Sequence, residues 1–383
     1  MVNRAKKAAA KALDLLRRGL MRAFCLAPME NIAIFSSFSG KSYCDSPKAI
    51  AEALEEIAPD LRIVWLFQHP ERKAALLPKG ATALRIHSPA ALYAMATAKV
   101  WVDNMPQQSY ITKRRGTIYL QTWHGDRGFK RMLHDAPDHP ANRVLSEKKI
   151  CDAMLSGSSF CEGTYRTGFL YDGEILRFGS PRNDVLLRGD TVRSDAARTA
   201  LGVGREQKIL LYAPTMRNAS RRAGQKQPIQ PIDIPRTLDK LGAEWVCIVR
   251  AHSTQLGLSG LPNDVRIIDA SCYEDMADLL LISDMLLTDY SSSAGDFALT
   301  GRPIVLFQED REGFAKTERT FYFDIAQSPY LVATNQAELE AHIDTLTPEA
   351  AKQNCAAILQ FYGAYETGHA AQSAAEWIQS HRK

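Results

Sequence analysis

Short, nearly continuous apolar runs alternate with stretches of helical period along most of the chain. Residues 32–35, 62–67, 82–86, 100–103, 117–121 and 151–156 have the length and composition of strands buried on both faces. Helical patterns over 47–57 and 89–98, and one opening at Ser158-Ser159, fall between them. The same alternation resumes with strands at 209–212, 245–249, 265–268, 285–288 and 304–307. Helices at 191–201 and 235–241 accompany these, and 338–383 reads as mostly helical. Strand–helix alternation of this kind predicts an α/β fold with parallel, doubly wound sheets. The expected division is a first Rossmann-like domain over 27–190, a second over 191–345, and C-terminal helices over 346–383 that pack on both.

The stretch 278–307 carries the most chemistry. An apolar helical face leads into the strand 285–288, then Asp289-Tyr290-Ser291-Ser292-Ser293, then a helix that Gly301 and Pro303 stop. Ligands of doubly wound sheets bind at the carboxyl ends of the strands. Serine hydroxyls, unpaired N–H groups and the positive end of a helix together suit a phosphate. The plainer alternative is that Ser291 or Ser292 only caps the helix.

Two more strands of this half end in polar groups: Thr215 and Arg217 after one, Arg250 and His252 after the other. A parallel sheet brings such ends to one edge, and two arginines, a histidine and a serine loop there describe a diphosphate pocket. In the first half, the loop after the first strand contains Gly40-Lys41-Ser42. It is no P-loop, because that motif needs glycine where Phe35 stands. The strand 117–121 runs into Thr122-Trp123-His124-Gly125, ahead of a basic segment that reads as a helix start. Imidazole is well matched to taking a proton from a hydroxyl, and the alternative is a histidine bonded to a loop carbonyl. Residues 135–145 read as irregular, and 220–231 as a polar, basic, mobile loop.

Composition narrows the classes. The 383 residues are 45% apolar with a net charge of +4, which is ordinary for a globular protein and gives no argument for nucleic acid. Seven cysteines lie scattered without a CxxC pair, so neither a disulfide framework nor a zinc site is expected, and a reducing compartment fits. No carboxylate cluster at ligand spacing predicts a metal. No apolar stretch is long enough to span a membrane. Residues 1–26, however, place Ala5, Ala8, Ala9, Ala12, Leu13, Leu16, Leu20 and Phe24 on one helical face. Arg4, Lys7, Lys11, Asp14, Arg18 and Arg22 fall opposite, the pattern of a helix lying on an anionic bilayer. The alternative is a helix packed on the protein with its charged face in water.

Five motifs in order then carry a family resemblance: Ser37-Phe38-Ser39-Gly40-Lys41-Ser42, Thr122-Trp123-His124-Gly125, Leu211-Tyr212-Ala213-Pro214-Thr215-Met216-Arg217, Arg250-Ala251-His252 and Thr288-Asp289-Tyr290-Ser291-Ser292. The set resembles the CDP-glycerol glycerophosphotransferase family of teichoic-acid primases and polymerases. That resemblance implies a GT-B fold, peripheral attachment to the cytoplasmic face of the membrane, and transfer of a polyol phosphate from a CDP-polyol to a lipid-linked or glycan acceptor. The CDP-polyol enters as substrate, and no cofactor is implied. Carried over, His124 matches the family's base and His252 joins Arg250 in its donor-phosphate region, both histidines counting as catalytic candidates. Thr215, Arg217, Asp289, Ser291 and Ser292 complete the donor side, while Gly40, Lys41, Ser42, Gly125 and Lys130 stand on the acceptor side. Where family members often read His-Gly-Thr-Pro-Leu-Lys, this chain has His124-Gly125-Asp126-Arg127-Gly128-Phe129-Lys130, which leaves the acceptor open. A nucleotide-sugar transferase of the same architecture and a non-catalytic membrane-bound scaffold are the rival readings. The polyol and the oligomeric state are left open as well.

Overall fold

The computed structural model describes residues 2–136, 145–215, 227–228, 232–250, 258–259, 261–318 and 320–382. Within the first half, β1 (Glu30–Ser36), β2 (Arg62–Phe67), β3 (Thr82–Arg85), β4 (Ala98–Asp103), β5 (Ile118–Gln121), β6 (Ala153–Leu155) and β7 (Glu174–Leu176) form one sheet. Their order is β3-β2-β1-β4-β5-β6-β7, every pairing parallel. The second half holds β8 (Lys208–Ala213), the short pair β9 (Gln227–Pro228) and β11 (Leu258–Ser259), β10 (Trp245–Val249), β12 (Ile267–Asp269), β13 (Met285–Thr288), β14 (Ile304–Phe307) and β15 (Leu331–Ala333). Its main sheet runs β12-β10-β8-β13-β14-β15, again parallel throughout. Buried Ile, Leu, Val, Phe and Trp cover both faces of the central strands, as parallel sheets sandwiched by helices require.

Both sheets thus reverse direction at one place, between β1 and β4 and between β8 and β13. Loops leaving the carboxyl ends of strands at such a switch point splay apart and leave a crevice. The chain crosses back at its end: the helix Pro348–Tyr362 buries Cys355, Ile358 and Tyr362 in the second domain's core, and Ala370–His381 buries Ala374, Ala375 and Ile378 in the first domain's. Two three-residue strands, β7 and β15, fall where the apolar pattern predicted none.

The first helix spans Val2–Phe24. It meets the body with Met21, which is fully buried, and with Phe24, whose ring stands edge-on to Tyr93 at 5.5 Å. Arg17 lies over the Tyr110 ring, and Arg18 donates to the Ser109 carbonyl at 2.6 Å. Leu13 and Leu16 point outward instead, 45% and 60% exposed. The charged face is therefore turned partly inward, the reverse of an ordinary surface helix.

Asp103 ends β4 at the first switch point. It is buried, accepting from the Met105 N–H at 2.8 Å and from Gln107 Nε2 at 2.9 Å. Burial pushes its carboxyl up to about 7, more than those hydrogen bonds pull it down. An unfolded aspartate ionises near pH ~3.9. Between about pH 4 and about 7 the unfolded chain has therefore lost a proton that the folded one keeps, and stability falls as pH rises. Asp103→Asn should match the parent near pH 4 and exceed it by about 1–4 kcal/mol near pH 8 in urea unfolding. Parallel stability profiles for the two proteins would contradict this.

Candidate active site

The carboxyl edges of the two sheets face each other across a cleft. From the first domain it is lined by Phe38, Ser42, Cys44, Asp45 and His124. From the second come Thr215, Arg250, Glu274–Ala277, and Ser291–Ser293 with Asp296. Arg182 and Asn183, at the junction of the domains, close the floor.

On the first-domain side, backbone strain accumulates beside the cleft. Phe38, Ser39 and Gly40 follow one another with φ of 49°, 57° and 78°, and Trp123 has φ of 51°. Non-glycine residues rarely hold this region unless surrounding contacts impose it. Asn104 supplies such contacts: its side-chain oxygen accepts from the Phe38 N–H at 2.7 Å, and its carbonyl lies 2.8 Å from His124 Nδ1. A carbonyl can only accept, so Nδ1 carries the proton and the neutral ring's lone pair is on Nε2. Trp123 packs against the ring at 4.1 Å between centroids, and Phe38 stands edge-on at 5.3 Å. The histidine is thus both bonded to a loop carbonyl and lining the cleft.

On the second-domain side, Ser292 occupies the N-cap position of the helix Ser293–Phe297 but makes no side-chain cap bond. Ser291 Oγ accepts from the Ser293 N–H at 3.2 Å and from its hydroxyl at 2.9 Å. Thr215 is held by Asp289, which accepts from its N–H at 2.9 Å and its hydroxyl at 2.7 Å. Arg250 is nearly buried and donates to the Ser271 carbonyl at 3.1 Å. Burial lowers its basicity, offset in part by the acidic groups at Cys44, Asp275 and Glu274.

The cleft gathers Ser42, His124, Thr215, Arg250, Ser291 and Ser292. Four other expected residues stand elsewhere. Asp289 does not line the cleft: as an acceptor-only carboxylate it braces Thr215 and receives the Tyr290 N–H at 2.5 Å. Gly40 packs against the end of β2, where a Cβ would come 3.0 Å from the Leu66 carbonyl, so its glycine serves the turn. Lys41 is exposed outside the cleft. Lys130, six positions after His124 and one more than the His-Gly-Thr-Pro-Leu-Lys run would give, pairs with Phe321 in an antiparallel bridge rather than starting a helix. Gly125 is next to the cleft: a Cβ there would meet the Trp123 indole at 3.3 Å and Ser292 Oγ at 4.0 Å. Arg217 and His252 lie outside the described residues, as do most of 220–231 and 137–144.

The pattern reading missed the cleft floor. Arg182 bonds Asp296 through Nε at 3.1 Å and Nη2 at 3.3 Å, and Asn183 Nδ2 donates to Asp296 at 3.0 Å. Burial works against the charged form of Asp296, but Arg182 and Arg127 outweigh it and hold the carboxyl below its ordinary value. The polar run Ser180-Pro181-Arg182-Asn183-Asp184 at the domain junction was the available signal. Further contacts hold the domains together at the rim. The Tyr43 N–H donates to Glu274 at 2.6 Å, Lys48 reaches Asp275 at 3.3 Å, and Lys73 also pairs with Glu274.

Two doubly wound parallel domains meeting at their switch points define a GT-B-type fold. The chain belongs to the CDP-Glycerol:Poly(glycerophosphate) glycerophosphotransferase family, whose model matches residues 20–380. It is 34% identical to a teichoic acid poly(glycerol phosphate) polymerase of Staphylococcus epidermidis, over 76% of this chain and 42% of that protein. The chain spans under half the length of that relative and of its Bacillus subtilis counterpart, of which it covers 44%. A teichoic acid glycerol-phosphate transferase of Staphylococcus aureus is 30% identical over 92% of this chain and 93% of that one. Among solved structures, the wall teichoic acid polymerase TagF superposes with a TM-score of 0.83 at 28% identity, covering 99% of this chain and 98% of that chain.

Proposed function

We propose that this protein transfers glycerol phosphate from CDP-glycerol to a hydroxyl of a lipid-linked or glycan acceptor in teichoic-acid-like polymer synthesis. The observation that carries the reading is the convergence of His124, with its lone pair on Nε2, on the cleft that holds Arg250, Thr215 and the serine loop. Family membership and the activities named for the relatives support the donor and the polymer class.

In this reaction His124 Nε2 takes the proton of the acceptor hydroxyl as its oxygen attacks the β-phosphorus of the donor. A new P–O bond forms, the bond to the bridging oxygen breaks, and CMP leaves with the electron pair. Negative charge grows on the phosphoryl oxygens and the leaving phosphate. Arg250 and the hydroxyls of Ser291 and Ser292 are the fixed partners for that charge, while Thr215, its hydroxyl donated to Asp289, lines the cleft beside them. Arg217 and His252 are assigned to the same donor side on the sequence motif alone. Among the described residues no group of His, Cys, Asp or Glu could hold a metal ion.

The exposed leucines favour a membrane surface as the place of work. Leu13 and Leu16, with Leu15 at 59% and Leu26 at 88% exposure, lie on and just after a helix rich in arginine and lysine. Among the described residues no helix is long and apolar enough to cross a membrane. The attachment proposed is the one the family resemblance implies, peripheral on the cytoplasmic face.

His124→Ala should bind CDP nearly as well as the parent in calorimetry, while CMP release falls about 10²–10⁴-fold. Arg250→Ala should instead weaken CDP binding by about 1.5–3 kcal/mol, the worth of a hydrogen bond to a charged group. The parent's rate should drop on the acid side, where protonation takes up the imidazole lone pair. Consumption of a nucleotide-sugar, with no CMP released from CDP-glycerol, would replace this reading with a sugar transferase.

The membrane reading is tested by Leu13→Gln with Leu16→Gln, which spares the packing of Met21 that a deletion would remove. Binding to vesicles containing phosphatidylglycerol should fall at least about 10-fold, each leucine burying roughly 1.5–3 kcal/mol of apolar surface. It should also weaken with salt in the parent. Vesicle binding equal to the parent's would refute it.

A further inference from the structure

The segment after His124 leaves its own domain. Phe129 is fully buried in the core beneath β13 and β14, its ring edge-on to Phe321 at 6.0 Å and to Tyr330 at 6.0 Å. The main chain follows: Tyr322 N–H donates to the Phe129 carbonyl, and Arg131 N–H to that of Thr320, both at 2.9 Å. Between histidine and phenylalanine stands Arg127, whose side chain has no exposed surface.

Arg127 Nε donates to the Gly295 carbonyl at 3.1 Å and Nη2 to Asp296 Oδ1 at 2.8 Å. One edge of the guanidinium therefore grips the turn that follows the serine loop. Nη1 reaches Glu366 at 2.7 Å, Asp126 at 3.3 Å and the Gly157 carbonyl at 3.4 Å. A flat group with five N–H donors can hold these directions together, and an ammonium cannot. The two loops also press on each other: a Cβ on Gly295 would come 2.4 Å from Arg127 Cβ, and one on Gly128 would come 3.4 Å from Ser292 Cβ. Arg127 itself does not line the cleft.

We propose that Arg127 is a positioning residue: it ties the His124 loop to the Ser291–Ser293 loop, so that the base and the donor-phosphate site keep one separation. This rests on the proposed role of His124. Two residues, Gly125 and Asp126, separate Arg127 from His124 on one side, and the guanidinium grips Gly295 and Asp296, just past the serines, on the other. A buried ion cluster can also be mere scaffolding, replaceable by apolar groups without loss. The two roles differ in what they do to turnover.

The test compares Arg127→Lys, which keeps the charge, with the charge-balanced pair Arg127→Met and Glu366→Gln, each first checked for a cooperative thermal transition. Three quantities are measured: CDP affinity by calorimetry, kcat for CMP release, and hydrogen exchange over residues 122–133. Positioning predicts a CDP Kd within about 3-fold of the parent's and a kcat lower by about 10–100-fold, as an error of roughly 1 Å in placement costs. Exchange over 122–133 should quicken at least about 10-fold. A folded variant that keeps the parent's kcat, or the parent's exchange over that segment, overturns the proposal. If the parent releases no CMP from CDP-glycerol, the functional reading fails, and the exchange measurement alone decides whether Arg127 tethers the loop.

Discussion

An arginine taken out of water is tolerated only where carboxylates and carbonyls meet its donors, and Arg127 has both around it. Its partners come from four places in the chain: its own neighbour Asp126, Gly157, the Gly295–Asp296 turn, and Glu366 between the last two helices. Arg182 and Asn183 join through Asp296 and bring in the domain junction. Breaking a buried pair by removing one partner typically costs about 3–5 kcal/mol. The cluster therefore holds together three crossings between the domains, directly beneath the cleft. Phe129 adds an apolar anchor to the same segment. The cleft is shaped from both sides by groups already in contact.

Much of this fold could be read in the sequence, because strands buried on both faces announce themselves as apolar runs. β1, β2, β8, β10, β13 and β14 are of that kind. Two of the missed strands, Glu174–Leu176 and Leu331–Ala333, are three-residue edge strands and only partly buried, so they leave no such run. Sequence motifs likewise placed Ser42, His124, Thr215, Arg250, Ser291 and Ser292 at one cleft. Motif order could not show direction: Asp289 lies within a motif yet turns behind the site to hold Thr215.

What stayed hidden is pairing at long range. Arg127 looked like the basic start of a helix, and nothing local reveals that it will meet a carboxylate 169 positions away. Asp296 is unremarkable in a helix until Arg127 and Arg182 are folded against it. The first helix gives a related lesson. Its period shows two faces, but only packing shows that Met21, Arg17 and Arg18 take the inner side and leave Leu13 and Leu16 outside.

On the proposed function, a CDP-linked donor lies between the serine loop and His124, in a cleft already set by the buried cluster. A crystal structure of the protein with CDP tests it most directly. The two phosphates should lie on Ser291, Ser292 and Arg250, with the terminal phosphorus facing His124 Nε2 and the Arg127–Asp296 contact kept. A diphosphate seated instead at the β1–β4 switch point of the first domain, with the serine loop empty, would contradict it.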